Sequence, residues 1–108
     1  MSKLILRENP TLKDYQEYVE LMVKERGFDK ETISEIFMLL MEEVGEMAKA
    51  ARKSQGIHID QNSKDHNLGH EAVDVLMYLL DICNHQGIDL EKAFREKEEI
   101  NKKRVWKV

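Results

Sequence analysis

The sequence predicts an all-α protein with four long helices, in which helices joined by short links are antiparallel neighbours. Residues that break helices are rare, because the 108 residues include one proline and five glycines. Apolar residues also recur every three or four positions along four long segments, which is the period of an amphipathic helix. A chain of this length is expected to form one domain, residues 1–108, with its core at about 10–104.

The helices are expected at about residues 10–26, 30–53, 68–86 and 90–104. Asn9, Asp29 and Asp89 are the candidate N-caps, with Pro10 at the first position of the first helix. Gly27 and a C′ glycine at position 87 would end the first and third helices. The short links after these glycines predict that the helices they join are antiparallel neighbours. The polar stretch SQGIHIDQNSKDHN is expected to be a loop.

Three glutamates interrupt the apolar pattern of the second helix, in the stretch EEVGE. At about 100° per residue, Glu43 falls on the flank of the apolar stripe and Glu46 lies one turn further on, just outside the stripe. Glu42 points further towards solvent. In a chain with 21 acidic residues, such a motif is often only a solvated helix face. The position of Glu43 beside apolar residues favours a site instead.

The third helix is apolar around more than half of its circumference, which predicts that protein surrounds it. One narrow polar line breaks this surface: Glu71, Asp74, Tyr78, Asp81 and His85. Two carboxylates about 4 Å apart repel by roughly 4 kcal/mol at an effective dielectric constant near 20. Carboxylates from two helices that face each other would therefore need a cation, and hard oxygen ligands suit Mg²⁺ or Mn²⁺.

The order of these motifs resembles that of a known superfamily. EEVGE, then 24 residues, then EAVDVLMYLLDICNHQGIDLEKAFREKEEINKKRVWK is similar to the MazG-like nucleoside triphosphate pyrophosphohydrolases, which are related to dimeric dUTPases and dCTP pyrophosphatases. The likeness covers about residues 18–106. It implies an antiparallel bundle of four or five helices, completed as a homodimer or homotetramer. It also implies Mg²⁺-dependent hydrolysis of a nucleoside triphosphate to the monophosphate and pyrophosphate, for upkeep of the nucleotide pool.

The resemblance also assigns roles to residues. The implied metal ligands are Glu43, Glu46, Glu71 and Asp74. The glutamates implied in catalysis are Glu42, Glu43 and Glu46, with Glu42 in a supporting part. The implied substrate contacts are Tyr78, Lys97, Asn101 and Arg104. Ordinary roles compete with three of these four, since Tyr78 could simply pack, and basic residues such as Lys97 and Arg104 near a helix end offset its dipole.

Two other functions remain open. The acidic residues could serve a protein partner in a non-catalytic helical interaction module, or the substrate could be a phosphoribosyl nucleotide. A second metal site at His58, Asp60, His66 and His70 is less favoured than solvated loop residues.

Composition limits the partners and the location that we expect. The net charge of −4 argues against binding to a nucleic-acid backbone. No apolar stretch is long enough to cross a membrane. The single cysteine, Cys83, is expected to be a buried, inert thiol, and the location is expected to be cytoplasmic.

Overall fold

The computed structural model of the chain describes residues 1–60 and 67–108. Its helices are α1 (Leu12–Glu25), α2 (Ile33–Ser54), α3 (Leu68–His85) and α4 (Leu90–Lys102). No strand occurs in these two ranges, which confirms the all-α prediction with four helices. None of the described helices is both long enough and apolar enough to traverse a bilayer.

Two helices begin later than the sequence predicts, because threonines cap them. Thr11 forms a capping box at the start of α1, and the predicted cap Asn9 has a φ of 53°, which a residue entering a right-handed helix cannot adopt. Thr32 caps α2 by accepting a hydrogen bond from a backbone N–H in the first turn. The predicted cap Asp29 was therefore wrong, whereas Asp89 caps α4 as expected.

The predicted helix ends at Gly27 and Gly87 are confirmed. Both glycines have positive φ, 77° and 67°, a region that costs other residues energy. After Gly27, the Phe28 N–H donates to the Val23 carbonyl at 2.9 Å, and after Gly87, the Ile88 N–H donates to the Cys83 carbonyl at 2.8 Å. These are the backbone contacts of a Schellman helix end.

The main packing partners differ from those that the short links predict. α3 packs against α2 and α1, and α4 packs against α1. The core cluster contains Val19, Met22 and Val23 of α1 with Leu80 of α3, and Leu80 is only 1% exposed. α3 is the most apolar helix, so it takes the central position and both of its neighbours bury side chains on it. Cys83 is buried, as predicted, and burial raises the pKa of its thiol.

The amide of Gln16 joins α1 to the link between α3 and α4. Its Nε2 donates to the Ile88 carbonyl, and its Oε1 accepts from the Leu90 N–H at 3.0 Å. The Asn84 side chain also donates to the backbone carbonyl of Gln16 at 3.0 Å. Gln16 is 8% exposed, so these bonds satisfy polar atoms that water hardly reaches. We call this contact the Gln16 clasp.

A single chain leaves part of the apolar surface uncovered. On α2, Phe37 is 49% exposed and Met41 is 62% exposed, and on α3, Val73 and Leu79 are also exposed. The prediction that protein surrounds α3 is therefore not met within one chain. The radius of gyration is 16.9 Å, whereas a compact domain of this length has about 13 Å.

Candidate active site

Carboxylates from α2 and α3 meet in the structure. Glu43, Glu71 and Asp74 each offer an oxygen atom, and these oxygens all lie within 4.8 Å of one another. We call these residues the carboxylate triad. Glu71 and Asp74 share one face of α3 because they are three residues apart, and α2 packs against α3 so that Glu43 approaches them.

Charge accumulates around Glu43, which is half-buried. Burial raises the pKa of the Glu43 carboxyl, and four negative charges raise it further, in decreasing order those of Asp74, Glu71, Glu46 and Glu42. Both causes disfavour the ionised form, and a bound cation would reverse their effect. The triad therefore has the charge and the geometry of a cation site.

The spacing of the triad suits a small divalent ion. Mg²⁺ takes oxygen ligands at about 2.0–2.1 Å, so two ligands on opposite sides of the ion are about 4 Å apart. The observed limit of 4.8 Å is close to this value, so small side-chain movements would complete the coordination. A donor set of carboxylates alone matches the preference of Mg²⁺ or Mn²⁺ for hard oxygen ligands.

The other two glutamates of EEVGE lie beside the triad. Glu46 and Glu42 are exposed and are not part of the group of three, although both charges are close enough to affect Glu43. Of the four predicted metal ligands, the structure thus brings three together, with the fourth nearby.

A pocket of about 190 Å³ opens next to the triad and shares Glu43 and Asp74 with it. Its walls come from α1, the α1–α2 link, α2 and α3, and its lining residues include Arg26, Phe28, Glu31, Tyr78 and Asp81. Burial raises the pKa of the Tyr78 phenol, and the neighbouring acids Glu31, Glu43, Asp74 and Asp81 add to this rise. The structure therefore puts the predicted substrate contact Tyr78 in a pocket beside the triad.

The predicted substrate contacts on α4 and just beyond its end lie elsewhere in the single chain. Lys97, Asn101 and Arg104 do not line the pocket beside the triad. The Arg104 guanidinium lies 5.8 Å from the centre of the Trp106 ring, and the Trp106 ring N–H donates to the Asn101 carbonyl at 3.3 Å. The side-chain oxygen of Asn101 is buried without a hydrogen-bond donor among the described residues.

Sequence reasoning missed three residues of the pocket. Arg26, Phe28 and Glu31 lie at the end of α1 and in the link, where no helical period points to a site. Asp81 was visible as part of the polar line on α3.

Of the four residues weighed as a second metal site, His66 lies outside the described residues. His58 has a φ of 52°, and its carbonyl accepts a hydrogen bond from Arg52 at 2.7 Å.

Comparison with known families identifies the kind of protein. The profile of the phosphoribosyl-ATP pyrophosphohydrolase family matches residues 12–101, which is most of the chain. The chain belongs to this family. No curated protein and no solved structure matched the chain.

Membership confirms the predicted class of enzyme, a pyrophosphohydrolase. It also changes which of the substrates predicted from the sequence is better supported. The phosphoribosyl nucleotide, which was the alternative, is now better supported than an ordinary nucleoside triphosphate. The likeness to MazG itself remains a prediction.

Proposed function

We propose that this pyrophosphohydrolase hydrolyses phosphoribosyl-ATP, with Mg²⁺ held by the carboxylate triad. A water oxygen forms a bond to the α-phosphorus, the bond from that phosphorus to the pyrophosphate oxygen breaks, and one proton of the water passes to a carboxylate. The products are phosphoribosyl-AMP and pyrophosphate. The observation that carries this proposal is the convergence of Glu43, Glu71 and Asp74 in a chain of this family.

The triad fits Mg²⁺, or Mn²⁺ in its place, by donor type, charge and spacing. When bound, such an ion would neutralise negative charge on the phosphate oxygens and make a nearby water more acidic. Carboxylates alone would repel a triphosphate, so the chain needs this positive charge to admit its substrate.

The remaining glutamates and Tyr78 have separate tasks. Glu42 and Glu46 lie outside the triad and are exposed, so their carboxylates can accept the proton that the attacking water loses. Glu46 follows Glu43 by one helical turn and its charge acts on Glu43, which supports it as a fourth ligand. Tyr78 lies one turn of α3 beyond Asp74, where its ring can pack against the base of a nucleotide whose phosphates lie at the triad.

We also propose that a second copy of the chain completes the enzyme, as a homodimer or homotetramer. The exposed apolar residues on α2 and α3 supply a surface for it, since a second copy would remove them from water. Lys97, Asn101 and Arg104 do not reach the triad's pocket in one chain, so their proposed contact with substrate phosphates depends on this assembly.

A substrate panel tests the proposed reaction. Phosphoribosyl-ATP, ATP, dUTP and dCTP are each incubated with the protein and Mg²⁺, and the release of pyrophosphate is followed. We expect the highest kcat/KM with phosphoribosyl-ATP. Faster cleavage of ATP, dUTP or dCTP would replace this substrate with an ordinary nucleotide, and no release from any of them would contradict the enzymatic function.

A variant tests the site. Asp74→Asn keeps the size of the side chain and removes one charge of the triad, so kcat/KM should fall by about 100-fold or more, since several kcal/mol of charge stabilisation depend on the ion. Glu98→Gln on α4 is the matched control, because Glu98 is exposed and lines no part of the triad's pocket. Equal activity of Asp74→Asn and wild type would refute the site.

A further inference from the structure

The pocket beside the triad carries more negative charge than a metal site requires. Besides Glu43 and Asp74, which belong to the triad, it is lined by Glu31 and Asp81. Arg26 is the one basic residue in its wall, and it forms no ion pair within the described parts of the chain. Carboxylates that neither bind the ion nor pair with a base need another explanation, because nearby negative charge repels a nucleotide's phosphates.

Asp81 is the more informative of the two additional acids. It is 8% exposed, and no described residue donates a hydrogen bond to its carboxyl. Burial raises its pKa, and the positive charge of His85 opposes this rise only in part. A buried carboxyl without a hydrogen-bond donor costs stability, so packing gives no reason for it. It lines the pocket, where a ligand could donate the missing hydrogen bond.

Asp81 lies at a distance from the triad that a nucleotide can span. It follows Asp74 by seven residues of α3, which is about two turns or roughly 10 Å along the helix axis. Tyr78 lies between them on the same line. A nucleotide whose α- and β-phosphates lie at the triad would therefore extend its base past Tyr78 towards Asp81.

Two aromatic rings complete the pocket. Phe28 comes from the α1–α2 link and is 50% exposed, and Tyr78 is half-buried on α3. The faces of such rings are electron-rich and attract cations. Two rings together with two additional carboxylates are the side chains expected around a flat, positively charged ligand.

The base of an ordinary nucleotide is uncharged at neutral pH, but that of phosphoribosyl-ATP is not. Its adenine carries the phosphoribosyl group on ring nitrogen N1, and an adenine alkylated at N1 is basic enough to hold an additional proton at neutral pH. The ring is then a cation whose exocyclic nitrogen is a hydrogen-bond donor. This chemistry complements the lining of the pocket, whereas unmodified adenine lacks the charge.

We propose that the pocket selects its substrate by the positive charge of an N1-alkylated adenine, which stacks on Tyr78 and Phe28 and donates a hydrogen bond to Asp81. This inference rests on the proposed function, because it assumes that the triad holds the phosphates. It extends that function by assigning Asp81 and Phe28 as specificity residues and by predicting that ATP is a poorer substrate than phosphoribosyl-ATP.

The test compares 1-methyl-ATP with ATP, which carry the same phosphates and differ in the charge of the base. Wild-type protein should show a kcat/KM for 1-methyl-ATP at least about tenfold above that for ATP. In Asp81→Asn, which keeps the shape and removes the charge, the ratio of the two values should fall about tenfold. Phe28→Leu should lower the ratio too. Because Phe28 is half exposed, this substitution should leave folding intact. Glu98→Gln should leave the ratio unchanged.

Calorimetric binding of both nucleotides, with Mg²⁺ present, separates this inference from the reaction. Wild type that binds the two equally, or an Asp81→Asn variant whose ratio is unchanged, would overturn the selection by charge even if pyrophosphate is released. Preferential binding of 1-methyl-ATP without any turnover would contradict the proposed hydrolysis and leave the cation pocket supported.

Discussion

Glu43 of α2 and Asp74 of α3 bring carboxylate oxygens within 4.8 Å of each other, and the charge of Asp74 is the strongest neighbouring charge acting on Glu43. Like charges this close are unfavourable unless a proton or a cation lies between them. This relationship leads to two predictions, one on metal binding and one on pH.

Mg²⁺ should raise the melting temperature of the protein as its concentration increases. At about 100 times the dissociation constant, binding adds roughly 2.7 kcal/mol, which corresponds to a rise of more than about 10 °C for a domain of this size. Asp74→Asn should lose most of the rise, and Glu98→Gln should keep it. Thermal unfolding measured over a Mg²⁺ titration checks this, and an equal rise in Asp74→Asn would show that the ion binds elsewhere.

Without metal, the protein should become less stable as the pH rises from about 4 towards neutral. The pKa of Glu43 is raised above its ordinary value of 4.5, so the folded state binds its proton more tightly than the unfolded state does. The contribution of Glu43 is therefore complete below the ordinary pKa and is lost as the pH passes through the raised pKa. Asp81, whose pKa is also raised, adds a loss of the same sign.

Glu43→Gln measures that effect directly. In EDTA, the variant should lose stability less steeply between acid and neutral pH than wild type does, whereas Glu98→Gln should follow the wild-type curve. Urea unfolding at several pH values gives the free energies. An unchanged pH dependence in Glu43→Gln would mean that burial and the neighbouring acids do not raise the pKa of Glu43 in the folded protein.

The core depends on Leu80, which is 1% exposed and contacts the apolar residues of α1. Leu80→Ala should lower the free energy of unfolding by about 2–5 kcal/mol, because it removes buried methyl groups and leaves a cavity. Leu21→Ala on α1 is the control, since Leu21 is 58% exposed and should cost far less. Chemical denaturation of both variants is the measurement, and similar losses would contradict the assigned core.

The exposed apolar face of α2 should hold copies of the chain together. Met41 is 62% exposed, and Met41→Glu would place a charge on this face and shift the protein towards monomers. Leu21→Glu, at a similarly exposed position on α1, should leave the assembly intact. Sedimentation equilibrium over a range of concentrations checks the prediction. A wild-type protein that remains monomeric throughout would contradict it.

Periodicity in the sequence was enough to predict the four helices and the two groups of polar residues that contain the triad, and the family resemblance then selected the acids among them. Glu43 on an apolar flank and the polar line through Glu71 and Asp74 were visible because helical geometry is regular. The starts of α1 and α2 were missed, because Thr11 and Thr32 compete with other good capping residues nearby. These local choices depend on backbone angles that a single sequence does not reveal.

The pocket was harder to predict than the triad. Phe28 and Glu31 belong to a link, and their approach to Tyr78 depends on how α1 and α2 diverge around α3. The packing of α4 on α1 was also missed, since short links predict neighbours in sequence and not those with the largest buried face. Both features are set by tertiary packing, which leaves no periodic pattern in the chain.

The Gln16 clasp has a consequence for the newly made chain. Its hydrogen bonds to Ile88 and Leu90 join residues that are 72 and 74 positions apart. During translation, α1 therefore emerges long before its clasp partners have been synthesised, and closing so distant a contact is slow. Until Leu90 has been synthesised, the apolar side chains of Val19, Met22 and Val23 lack their final cover, and exposed apolar surface of this kind favours aggregation before folding is complete.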